Sequence, residues 1–165
     1  MGRTCLFLLA LIPSLSFSHG GKDHSKEDIQ KEKHVDRQNE FDKVVISRIS
    51  ESYQIKVRPI FANKCFACHS TSLPLPWYSK APIVGSIVKN DRKEALTHLD
   101  LTNNFPFKGH GGPIEDIKAI QKSVQDESMP PLLYKAFHWD SVLSEAEKKL
   151  INDWAVKSIR ELENP

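Results

Sequence analysis

The 165-residue chain is poor in sulfur, with three cysteines and two methionines. Three cysteines are too few for a disulfide scaffold. There is no excess of one charge: Lys plus Arg is 23 against 21 for Asp plus Glu, a formal balance of +2. That lacks the clustered basic surplus a nucleic-acid binder needs. No segment approaches the run of about eighteen apolar residues that spans a bilayer as a helix. No stretch alternates with period two for long, and no internal repeat is visible, so sheet-rich and solenoid folds are excluded. Apolar residues at 39% allow one domain with a modest core.

The amino-terminal end has the pattern of a secretory signal peptide covering residues 1–18. Arg3 supplies the positive start, residues 5–12 the apolar run, and Ser16 and Ser18 small residues before a cleavage site. An uncleaved anchor is the competing reading, but the run is short for a span. Cleavage predicts an exported, periplasmic protein with no membrane span. Cys5 would leave with the signal, so Cys65 and Cys68 become the only thiols and Met129 the only methionine.

Residues 19–43 are rich in both charges, contain His19, His24 and His34, and hold few apolar side chains. They are expected to form a charged, solvated, flexible tail, because they cannot bury enough surface to offset ordering. Metal capture by the histidines, His19 as a new first residue included, is the sharper but less favoured alternative.

A domain over residues 44–162 reads as all-α with long loops. Val45, Ile49, Tyr53 and Val57 line one helix face, and Pro59 marks a break and restart. A helix over Pro82 to Leu99 would turn Val84, Ile87, Val88, Ala95 and Leu99 inward. Another begins at Pro113 with Ile114, Ile117, Ile120 and Val124. The clearest follows the capping box Ser144-Glu145-Ala146-Glu147, with Leu150, Ile151, Trp154 and Ala155 as its stripe.

The chemistry sits in Cys65-Phe66-Ala67-Cys68-His69. Two cysteines three positions apart on a helical turn place both sulfurs on one side. There they can add to the two vinyl groups of one haem as thioethers. The histidine directly after the second cysteine is then the proximal iron ligand, the spacing of c-type haem attachment. A zinc site would need further ligand pairs, a thioredoxin-like pair a preceding strand, and a disulfide across two residues would be strained. Export agrees with the haem reading.

For the sixth position, Met129 in Glu127-Ser128-Met129-Pro130-Pro131 offers a soft thioether on a proline-stiffened loop. It could instead fill the crevice without ligating. His98, His110 and His138 are alternative ligands. Trp77 and Tyr78, after the stiff Leu73-Pro74-Leu75-Pro76, could cover a haem face or edge, or pack on the last helix near Trp154.

Residues 53–157 resemble the bacterial haem-binding domain family of small monohaem cytochromes. The resemblance rests on Cys65 to Ser70, Pro76-Trp77-Tyr78-Ser79, Ala81-Pro82, Glu94 to Leu99, Met129-Pro130-Pro131, and Leu143-Ser144 through Asp153-Trp154. It implies a cytochrome-c-like helical fold around one covalent haem c, with Met129 at the family's Met-Pro-Pro segment. The family usually has a tryptophan shortly after its His-Leu pair, where this chain has Asn103-Asn104-Phe105-Pro106-Phe107. The segment before Phe41 has no counterpart recognised in the family.

Two functions follow. In the favoured one the chain is a one-electron carrier serving redox partner proteins, not an enzyme. In the alternative it is a haem enzyme or sensor, peroxidase-like or gas-binding, whose sixth position opens.

Overall fold

Pro59 does not separate two helices. In the computed structural model, helix α1 (residues 42–52) runs without a gap into a π turn, Tyr53–Val57, and then into α2, Arg58–Lys64. Proline carries no amide to bond four residues back. The widened turn absorbs that loss, and the Arg58 amide reaches the Tyr53 carbonyl, five residues back. The structure describes residue 40, residues 42–109 and residues 111–164, all within one unit, Asp36–Pro165. Residues 1–18, read from the sequence as a signal peptide, and His19, His24, His34 and His110 lie outside the described residues.

The remaining elements are the single turn α3 (Phe66–His69), a 3-10 turn (Trp77–Lys80), α4 (Pro82–His98), α5 (Pro113–Gln125), α6 (Leu132–Phe137), a second 3-10 turn (Trp139–Ser141) and α7 (Glu145–Glu163). The fold is all-α. Its one ladder is a two-residue antiparallel pair among the described residues, β1 (Leu99–Asp100) with β2 (Lys108–Gly109), in register Leu99 to Gly109 and Asp100 to Lys108. No helix among the described residues is long and apolar enough to cross a membrane.

The expected face of the first helix is the centre of the core. Val45, Ile49, Tyr53 and Val57 are buried, against Ile151, Trp154, Ala155 and Ser158 of α7. The Tyr53 ring lies 5.0 Å from Phe107, 5.8 Å from Trp154 and 5.9 Å from Phe61, edge-on or tilted, the arrangements aromatic quadrupoles favour. Phe105 and Phe107 are both buried. So the Asn103–Phe107 segment, where the sequence departs from the family pattern, puts aromatic rings into the core. α5 lies along α7, with Ile117, Ile120 and Val124 buried and Ile114 half-buried.

α4 differs from expectation. Val84 and Ile87 are exposed, and Val88, Ala95 and Leu99 only half-buried. The buried positions are Gly85 and Arg92. A side chain at Gly85 would collide with the Ser79 carbonyl, so backbone meets backbone there. That close approach, together with hydrogen bonds from Arg92, sets the rotation of the helix in place of apolar periodicity. Leu150, expected in the α7 stripe, lies at its edge, 37% exposed.

The capping box of α7 is complete. Ser144 Oγ accepts from the Glu147 amide at 3.3 Å, and Glu147 Oε2 accepts from the Ser144 amide at 2.7 Å. The bond from the Ser144 amide holds the Glu147 carboxyl below its ordinary value of 4.5. The cap therefore contributes fully above that value and is lost as pH falls through the lowered folded-state value. Ser144→Ala should cost about 1 kcal/mol at neutral pH, and Glu147→Ala should flatten the acid limb of the pH–stability curve, both read by thermal melts from neutral to acid pH.

Candidate functional site

Cys65 closes α2 and opens α3. Its carbonyl accepts from the amides of Cys68 at 3.1 Å and His69 at 2.9 Å, winding the five residues into one helical turn. Phe66 between the cysteines is buried, with the Arg58 guanidinium 5.5 Å above its ring. The turn is thus nailed to the core by Phe66 while Cys65, Ala67, Cys68 and His69 face a cavity.

The two thiols are free. Burial pushes Cys65 up to about 12, and burial is also the main cause raising Cys68. A thioredoxin-like nucleophile has its pKa lowered; these cysteines are held as neutral thiols. Among the described residues no three His, Cys, Asp or Glu side chains converge as a metal-holding group.

His69 is aimed by a backbone carbonyl. Its Nδ1 lies 2.8 Å from Leu99 O. A carbonyl only accepts, so Nδ1 carries the hydrogen and Nε2 keeps its lone pair. Burial, the largest cause, lowers the His69 pKa and favours that neutral ring. The Leu101 amide donates to His69 O at 2.7 Å, so the strand segment holds both the side chain and the backbone of His69. Metal-bound histidines are commonly fixed by such a second partner.

The cavity has a volume of about 590 Å³, within the ordinary range for a cofactor site. Cys65, Cys68 and His69 share its lining with Leu99, Leu101, Ile120, Val124 and Leu143. Met129, Pro130, Pro131 and Tyr134 contribute from the later part of the chain. Met129 is 49% exposed. The loop before it is tied down: Glu127 O accepts from Lys135 at 2.7 Å, and the Glu127 carboxylate accepts from Lys148 of α7.

The other sequence candidates separate. His98 lines the cavity. His138 is not part of the lining: its Nε2 is 2.8 Å from the Tyr78 hydroxyl, and its ring stacks on Tyr134 at 4.3 Å. Tyr78 and Trp77 are also outside the lining. Trp77 is 84% exposed, edge-on to Tyr78 at 5.8 Å, and neither ring contacts Trp154 in the core. Sequence reasoning missed the Leu99 carbonyl, which leaves no side-chain signal, and Arg92, which sits in a run of charged residues. Tyr134 was findable, as an aromatic closely following Met129-Pro130-Pro131.

The sequence model of the haem-binding domain matches residues 25–157. The chain belongs to the haem-binding domain family. The match begins inside the charged segment, so residues 25–43 do have a counterpart, contrary to expectation. The chain is also 30% identical over 95 residues to the cytochrome c peroxidase Ccp of Escherichia coli (strain K12). That stretch is 56% of this chain but only 20% of the relative. No solved structure matches.

The residues present fit a haem: a largely apolar cavity lined by two thiols and by a neutral imidazole whose Nδ1 is held by the Leu99 carbonyl. Gly109 protects this geometry. It has φ +155°, and a side chain there would meet His98 O at 2.5 Å, next to the carbonyl that aims His69. Gly112→Ala would meet only the end of the Glu115 side chain. We expect Gly109→Ala to destabilise the protein by about 1–3 kcal/mol in thermal unfolding, and Gly112→Ala to be near neutral.

Proposed function

We propose that this chain is an exported, periplasmic monohaem c-type cytochrome that carries single electrons between redox partner proteins. The observation that supports this best is the meeting of Cys65, Cys68, His69 and Met129 on one cavity, with His69 Nδ1 committed to Leu99 O. Bound haem supplies a one-electron ferric–ferrous couple. Cys65 and Cys68 would hold it through thioether bonds to its two vinyl groups, each S–H hydrogen passing to the neighbouring vinyl carbon. His69 would offer Nε2 to the iron, and Met129 its sulfur from the tethered loop, a thioether that would raise the potential relative to a second histidine. Apolar walls exclude water and lower the local dielectric, a second influence on the potential.

The alternative is a haem enzyme whose distal ligand yields, and the similarity to a peroxidase favours considering it. His98, Glu115 and Asp116, all on the cavity lining, are groups that could transfer protons there.

Two experiments decide. Protein made with export and haem-attachment machinery should keep its haem colour on denaturing gels, and Cys65→Ala with Cys68→Ala should lose it. Loss from wild type contradicts covalent attachment. In the second, wild-type ferric protein should be low-spin with the weak far-red sulfur-to-iron band. Met129→Ala should abolish that band, lower the potential and admit carbon monoxide or cyanide readily. Met129→His should stay six-coordinate at a lower potential. A high-spin wild-type spectrum unchanged by Met129→Ala would favour the enzyme.

A further inference from the structure

Arg92 is only 9% exposed, the one buried Lys or Arg among the described residues. Burying a guanidinium costs several kcal/mol of order unless it is satisfied. No carboxylate among the described residues forms an ion pair with it. Its partners are backbone carbonyls: Nη2 donates to Ser70 O and, at 2.7 Å, to Leu73 O. Ser70 is fully buried and directly follows His69. The two carbonyls belong to the stretch that leaves the haem-attachment turn. Neither the cavity lining nor the proposed electron carriage accounts for a cation in this place.

Consecutive carbonyls are thus claimed from two sides. His69 O takes the Leu101 amide, and Ser70 O takes Arg92. The same stretch is closed by the Thr71 amide on Thr102 Oγ1 at 2.9 Å. A single terminal nitrogen, with its two hydrogens, serves both acceptors, and the planar guanidinium keeps the charge of that group whatever the pH. Its charge also sits beside the attachment turn, since the Ser70 carbonyl it holds directly follows His69, and burial leaves it poorly screened by water.

We propose that Arg92 is the positioning residue for the His69 segment, and that its buried charge biases a haem held at Cys65, Cys68 and His69 toward the ferrous state. The second half rests on the haem reading above. A fixed cation in a poorly screened interior penalises the ferric state more, because that state carries one more positive charge.

The test uses the full chain with Arg92→Gln and Arg92→Lys. Haem staining on denaturing gels first establishes attachment, so a failure of the haem reading shows in wild type and is distinct from a failure here. Amide hydrogen exchange, which needs no haem, reads the positioning role. Arg92→Gln should speed exchange at Thr71 and Leu101 while leaving Trp154 in α7 protected. Redox titration reads the charge. Arg92→Gln should shift the ferric–ferrous equilibrium about tenfold toward ferric, 59 mV for one electron, and Arg92→Lys should recover at least about half of that on a logarithmic scale. The conservative lysine variant carries the test if the glutamine variant folds poorly. Unchanged exchange at Thr71 and Leu101 would overturn the positioning role. A shift under about twofold in Arg92→Gln, or a lysine variant no better than glutamine, would overturn the charge assignment.

Discussion

The hydrogen bond from His69 Nδ1 to the Leu99 carbonyl is the contact on which the site depends. It decides which ring nitrogen keeps a lone pair and which way that nitrogen points. Much of the surrounding backbone serves it. α4 stops at His98, so that Leu99 is extended and its carbonyl free to face the histidine. The short ladder with Lys108–Gly109 holds that extended residue in place, and Gly109 lets the strands approach as closely as they do. The Leu101 amide then returns to the His69 carbonyl and closes the loop of contacts.

The fold separates a sealed core from the open cavity. α1 with the π turn that follows it, α5 and α7 bury Ile49, Tyr53, Ile117, Ile151 and Trp154 against one another, and each large side chain so buried contributes roughly 1.5–3 kcal/mol. The attachment turn is joined to that core by Phe66, and the Met129 loop is joined to α7 through Lys148 and Glu127. The ion pair lies at the surface, so it orients the loop more than it stabilises the protein. Two walls of the cavity therefore hang from one scaffold by different kinds of link, a buried ring on one side and a surface ion pair on the other.

How much of this was legible depends on what kind of signal each feature leaves. The core face of α1 and the α7 cap were readable because periodicity and capping are local. The attachment motif was readable because chemistry demands residue types at fixed spacing. α4 was misread at Val84 and Ile87 because its rotation is set by a backbone contact at Gly85 and by polar bonds of Arg92, neither of which follows hydrophobic period. The role of Phe105 and Phe107 in the core was hidden because both sit in a loop with no period at all. That Leu99 would aim His69 could not be read, since a carbonyl is common to every residue.

The axial pair proposed for the haem, His69 Nε2 and Met129 sulfur, is tested most directly by iron-edge X-ray absorption of the ferric protein with its haem attached. The account predicts one sulfur scatterer at bonding distance beside the nitrogens, lost in Met129→Ala. A shell of nitrogen or oxygen alone in the wild-type protein would contradict it.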